Sequence, residues 1–144
     1  MSCWDTSALL KLYLTEADSP QYLVRASGTT EIVISFVGKH EARTAFRRRE
    51  SEGVLSPGGA ALCYQRLLRD IQTSRVRIIP DSPHLERIFG SILDQCLSQT
   101  PPVFVRTNDA LHLAAAKVAG ETEFVTADAR QAAAATLIGL TVNP

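Results

Sequence analysis

The chain has 144 residues, 45% hydrophobic and 21% charged, and its 15 basic and 15 acidic side chains cancel to a formal charge of zero. That length predicts one domain, residues 1–144, burying about two-thirds of the surface its unfolded chain exposes. No apolar run approaches the roughly 20 residues of a membrane span, the charge balance excludes a general polyanion-coating protein, and the head of the chain has no secretory signal, so the cytoplasm is expected.

Cys3-Trp4 reads as the end of a short buried strand that stops at Asp5 and turns into a helix, with Thr6 or Ser7 as its cap. Leu9, Leu10 and Tyr13 follow at helical spacing. Residues 16–28 predict a short amphipathic helix, and the β-branched run 31–35 a second strand. A third helix runs over 38–52 and stops at Gly53, before the break at Ser56-Pro57-Gly58-Gly59.

Residues 60–74 form the next helix, with Cys63, Leu67, Leu68 and Ile71 on its apolar face, and 76–80 the third strand. Asp81 or Ser82 caps a helix whose stripe is Leu85, Ile88, Phe89, Ile92, Leu93 and Leu97. After the Thr100-Pro101-Pro102 loop, Thr107 or Asn108 opens a helix that runs to Gly120. Residues 123–126 give a fourth strand ending near Asp128, 130–137 an alanine-rich helix, and 140–142 a last strand. Strands alternating with helices predict a three-layer α/β/α sandwich around a central, mostly parallel sheet of four to five strands. Cys3, Cys63 and Cys96 lack metal-ligand spacing and read as reduced, mostly buried thiols.

Four acids fall at comparable places. Asp5 and Asp128 stand at or just beyond strand ends, and Glu41 and Asp109 near the first turns of helices. In a parallel sheet these positions share one edge, the edge at which such sheets bind ligands. Two carboxylates about 5 Å apart repel by roughly 3 kcal/mol at an effective dielectric near 20. A divalent cation reverses that sign, and oxygen-only ligation suits Mg²⁺ or Mn²⁺. Such a centre polarises a phosphoryl oxygen and activates water, which makes metal-assisted phosphodiester hydrolysis the expected reaction class.

The pieces Asp5-Thr6-Ser7-Ala8-Leu9-Leu10-Lys11-Leu12-Tyr13, His40-Glu41-Ala42-Arg43-Thr44-Ala45, Asp109-Ala110-Leu111-His112-Leu113-Ala114-Ala115-Ala116 and Val125-Thr126-Ala127-Asp128-Ala129-Arg130, in that order, resemble a PIN-domain ribonuclease, and among these a VapC-type toxin of a type II toxin–antitoxin pair. The resemblance implies a PIN-like fold and a catalytic, metal-holding quartet of Asp5, Glu41, Asp109 and Asp128 with Mg²⁺ or Mn²⁺. It also implies endonucleolytic cleavage of RNA, a homodimer, and inhibition by a small VapB-like antitoxin. The motif-free region 57–102 leaves the RNA target unnamed.

Around the quartet, Thr6, Ser7 and Thr126 are candidates to bind metal-bound water or substrate phosphate, with capping and turn bonds as the competing reading. Arg43 lies close enough to touch phosphate, whereas Arg48 and Arg49 read as a solvated helix end. His112 shares a helix face with Asp109. It reads either as a hydrogen-bonded core histidine or as a residue that orients a carboxylate or meets RNA. Two alternatives stand beside the nuclease: a catalytically idle PIN-like interaction module, and a haloacid-dehalogenase-type phosphatase, which requires an aspartate where this chain has Ser7.

Overall fold

A computed structural model describes residues 1–143, and Pro144 lies outside the description. Its elements, in chain order, are β1 (Ser2–Trp4), α1 (Thr6–Leu10), α2 (Ser19–Ser27), β2 (Ile32–Ser35), α3 (Phe36–Ser51), α4 (Gly59–Gln72), β3 (Val76–Ile79), α5 (Pro83–Leu97), α6 (Thr107–Val118), β4 (Glu123–Val125), α7 (Ala129–Leu137) and β5 (Thr141–Asn143). The five strands form one sheet in the order β3-β2-β1-β4-β5, and every neighbouring pair is parallel. The chain therefore winds outward in both directions from β1, and the order reverses between β1 and β4. Ligands of open parallel sheets bind at such a reversal, outside the carboxyl ends of the strands.

The period-two alternation of the strands divides the core. Cys3, Val33 and Phe124 point to one face, where they meet Leu85, Ile92, Leu113 and Ala135 of α5, α6 and α7. Trp4, Ile32, Ile34 and Val125 point to the other, against Leu9, Tyr22, Phe46 and Leu67 of α1 to α4. Burial on both faces is why these strands read as nearly continuous apolar runs. The expected three layers are present, with five strands in the sheet.

Several boundaries and caps differ from the sequence expectation. The first helix is capped by Asp5 and not by Thr6 or Ser7: the Asp5 carboxylate accepts from the Ala8 N–H at 2.9 Å. The short helix after it begins at Ser19, because Pro20 sets the first turn and Lys11 draws the carboxylates of Glu16 and Asp18 away from capping. Helix α3 follows β2 without a connecting residue, so Glu41 falls in its second turn. Arg106, with no side-chain cap bond, precedes α6, and Thr107 and Asn108 are already helical. Ser82 caps α5 as expected, accepting from the Leu85 N–H. All three cysteines are buried and free.

Candidate active site

The carboxyl end of β1 delivers Asp5 to the reversal point with 2% of its surface exposed. Both its oxygens accept from the Ser7 hydroxyl, at 2.8 and 2.9 Å, and Oδ2 accepts from the Thr126 hydroxyl at 2.5 Å. The same hydroxyls tie the loop after β4 to β1: Ser7 Oγ accepts from the Ala127 N–H at 2.9 Å, and Thr126 Oγ1 from the Asp128 N–H at 3.0 Å. Burial pushes the Asp5 carboxyl above the ordinary aspartate range, and the bonds from Thr126, Ala8 and Ser7 oppose that push.

Glu41 reaches the site from α3. Its carboxylate accepts from the Thr6 hydroxyl, from the Asn108 amide at 2.8 Å and from His112 Nε2 at 2.7 Å. Because a carboxylate only accepts, Nε2 carries the hydrogen, and Nδ1 takes the hydroxyl of Ser35 at 2.8 Å. His112 is 2% exposed and thus joins α6, α3 and the end of β2 in one buried chain of bonds. Gly38 of α3 lies beside the imidazole, where an added Cβ would stand 3.4 Å from Cε1. Burial raises the Glu41 carboxyl, but the bonds from His112, Thr6 and Asn108 outweigh it and hold the group down at about 2.

Asp109 and Asp128 are organised differently. Arg106 donates from Nε to Asp109 at 2.8 Å and from Nη2 to Asp128 at 3.3 Å. Asp128 also caps α7, accepting from the Arg130 and Gln131 N–H groups. The Gln131 side chain donates to the Asp109 carbonyl at 3.3 Å.

The four acids line a single cavity of about 140 Å³, together with Thr6, Ser7, Arg106, His112 and Gln131. Thr126 stands behind Asp5. A larger groove of about 770 Å³ continues from it along α3, sharing Thr6, Ser7, Glu41 and Arg106 and adding His40, Thr44, Arg48 and Arg49. Arg43 is turned away, its guanidinium 5.0 Å above the Tyr64 ring. Arg48 and Arg49, at the solvated end of α3, also line the groove, Arg48 exposed and Arg49 paired with Glu16 and Glu52.

The donor chemistry fits a hard divalent cation, because every anionic group facing the cavity is a carboxylate. Among the described residues no three acidic, histidine or cysteine side chains are gathered as a ready-made ion site. The reason is visible in the bonds: Glu41 is engaged by Thr6, Asn108 and His112, and Arg106 holds the outer two acids. Exposed ion pairs of the Arg106 kind contribute at most about 1 kcal/mol, well within what cation binding can replace. Sequence reading missed Arg106, Asn108, Ser35 and Gln131. Only Arg106 left a signal, three residues before Asp109 at helix-face spacing.

The family model for the PIN domain matches residues 3–137. Solved structures with the same fold include a toxin–antitoxin complex from Klebsiella pneumoniae, 17% identical with a TM-score of 0.68 over 100% of this chain and 97% of that one. FitAcB from Neisseria gonorrhoeae is 16% identical with a TM-score of 0.69 over 100% and 97%. The sarcin-ricin-loop-cleaving toxin VapC20 from Mycobacterium tuberculosis is 20% identical with a TM-score of 0.67 over 93% and 95%. No curated protein sequence matches. With its model spanning nearly the whole chain and the four acids around one cavity at the sheet's reversal point, the chain belongs to the PIN-domain family.

Proposed function

We propose that this chain is a Mg²⁺- or Mn²⁺-dependent endoribonuclease, the toxin of a toxin–antitoxin pair, acting as a homodimer in the cytoplasm and restrained by a small VapB-like antitoxin. The observation that carries the reading is the meeting of Asp5, Glu41, Asp109 and Asp128, from four separate chain segments, around one cavity. The toxin and antitoxin part is supported by the structural neighbours, one of them a toxin that cleaves the sarcin-ricin loop.

The four carboxylates would hold the cation, which supplies charge neutralisation at the scissile phosphate and a more acidic water. The residues themselves do the rest. Buried Asp5, fixed by Ser7 and Thr126, offers its oxygens in one orientation. His112 and Thr6 keep Glu41 ionised and aimed into the cavity. Arg48, Arg106 and Thr44 along the α3 groove are positioned to take flanking phosphates. A dehalogenase-type phosphatase is disfavoured, because its second aspartate is Ser7 here and Asp5 is enclosed by donors.

The test is thermal melting under Mn²⁺ titration, followed by cleavage of structured and single-stranded RNA, on wild type and Asp109→Asn. Wild type should show saturable stabilisation and Mn²⁺-dependent cleavage, and the variant should lose both. A wild-type chain that gains no stability from Mn²⁺ and cuts no RNA would replace this reading with the idle interaction module.

A further inference from the structure

Of the aromatic residues, Phe104 alone is exposed, with 83% of its surface open, and every other ring is buried or half-buried. It lies in the segment 98–106 between α5 and α6, anchored where the Val103 N–H donates to the Cys96 carbonyl at 2.9 Å. Val103 and Val105 pack against the core on the α5–α6 side, so the alternation of an extended chain turns Phe104 outward between them. The core gains nothing from a ring at this position.

Its surroundings are polar and charged. The ring borders a cleft of about 30 Å³ shared with Val105, Arg106, Asp109, Arg130 and Gln131. Asp109, Arg106 and Gln131 also line the acid cavity, so the cleft and the cavity have a common wall. The guanidinium-bearing side chains of Arg106 and Arg130 are 65% and 80% exposed. A void of about one water's volume cannot admit a base, which leaves the ring's outer face as the contact surface.

We propose that Phe104 is a stacking platform for one unpaired nucleobase of the RNA strand, beside the phosphate that enters the acid cavity, with Arg106 and Arg130 contacting the adjoining backbone. This rests on the ribonuclease reading and deepens it by naming a residue that selects strands with an unstacked base at one position. Single-stranded RNA is recognised by such base–aromatic stacking combined with cationic backbone contacts. A protein partner fits less well, because interfaces between proteins use contiguous apolar patches of several hundred Å², whereas this ring stands between two arginines and a carboxylate.

The experiment uses the full chain carrying Glu41→Gln, a change outside the Phe104 cleft that suppresses cleavage, titrated with fluorescein-labelled single-stranded oligoribonucleotides and followed by anisotropy. Phe104→Ala and Phe104→Leu should weaken binding roughly five- to one-hundred-fold, the range of one base–aromatic stack. Phe104→Trp should restore binding, and its emission should be quenched by RNA. An oligonucleotide made abasic at the stacked position should bind Phe104→Ala and Phe104 chains alike. Unchanged binding by Phe104→Ala overturns the stacking role while leaving the nuclease reading intact. So does a shift to monomer in sedimentation without loss of RNA affinity, which would make the ring a subunit contact. If the Glu41→Gln chain with Phe104 in place binds no RNA and wild type cuts none, the nuclease reading itself fails and the stacking role with it.

Discussion

The two halves of the acid cavity are built to different standards. On the β1 and α3 side, Asp5 and Glu41 are enclosed by hydroxyls, a backbone N–H, an amide and an imidazole, and no buried polar side-chain atom among the described residues lacks a partner. On the α6 and α7 side, Asp109 is held by one arginine whose side chain is 65% exposed, and Asp128 by the same arginine and by the backbone N–H groups it caps at the start of α7. The first half is fixed by packing and directional bonds, whereas the link between the two acids of the second is a charge pair that solvent screens. In the proposed metal-dependent centre the rigid pair would define where the ion sits, and the adjustable pair would close around it.

Removing the buried link should show the largest effect. His112→Ala leaves the Ser35 hydroxyl without its partner, takes one of three donors from Glu41 and opens a void under α3, at a cost of about 2–4 kcal/mol in urea unfolding. Arg106→Ala, on the adjustable side, should cost far less, because its side chain is exposed and its ion pairs are screened. Equal losses would mean the halves are not differently built.

Acid titration sharpens the same contrast. Glu41 is held at about 2 against an ordinary value of 4.5. A depressed carboxyl stabilises the fold above its unfolded value and loses that contribution as pH falls through the folded one. The wild-type chain should therefore lose about 2 kcal/mol between pH 4.5 and 2, after discounting for partial exposure. In Glu41→Gln that part of the acid limb should be absent from urea midpoints measured across the range.

How much of this was readable in advance follows from how local each feature is. Asp5 and Asp128 were legible as strand-end positions because each follows a short apolar strand run, and a parallel sheet needed only alternating strands and helices, whereas the strand order was not readable. The start of α3 was not: Phe36 and Val37 resume the apolar run of β2 after Ser35, which stands at the N-cap position but bonds His112 without capping the helix. The role of His112 was open because its partners, Ser35 and Glu41, lie 77 and 71 residues away. The Asp5 cap escaped because hydroxyl residues follow it directly, and they serve Asp5 and Glu41 instead.

Asp5→Asn tests the rigid half at its most buried group. Asparagine caps as well as aspartate, and the change removes a charge that burial disfavours. The sign follows from linkage: a raised carboxyl destabilises the fold when ionised and ceases to do so when protonated. The variant should be more stable than wild type at pH 7, with the gain vanishing in acid, and it should not cleave RNA. A destabilised variant at pH 7 would mean that the four accepted bonds need the full charge.

The smallest expected change is the most informative about the adjustable half. Arg106 and the proposed cation would draw on the same carboxylates, since its guanidinium bonds Oδ2 of both Asp109 and Asp128. Arg106→Gln removes the competing charge while keeping a polar side chain of similar reach. Both pairs are exposed and screened, so the Mn²⁺ concentration at half-maximal thermal stabilisation should fall modestly, about two- to ten-fold. If Arg106 instead serves to orient the two acids, the midpoint moves the other way. The direction alone separates an arginine that competes with the ion from one that prepares its ligands, and it requires no knowledge of the RNA target.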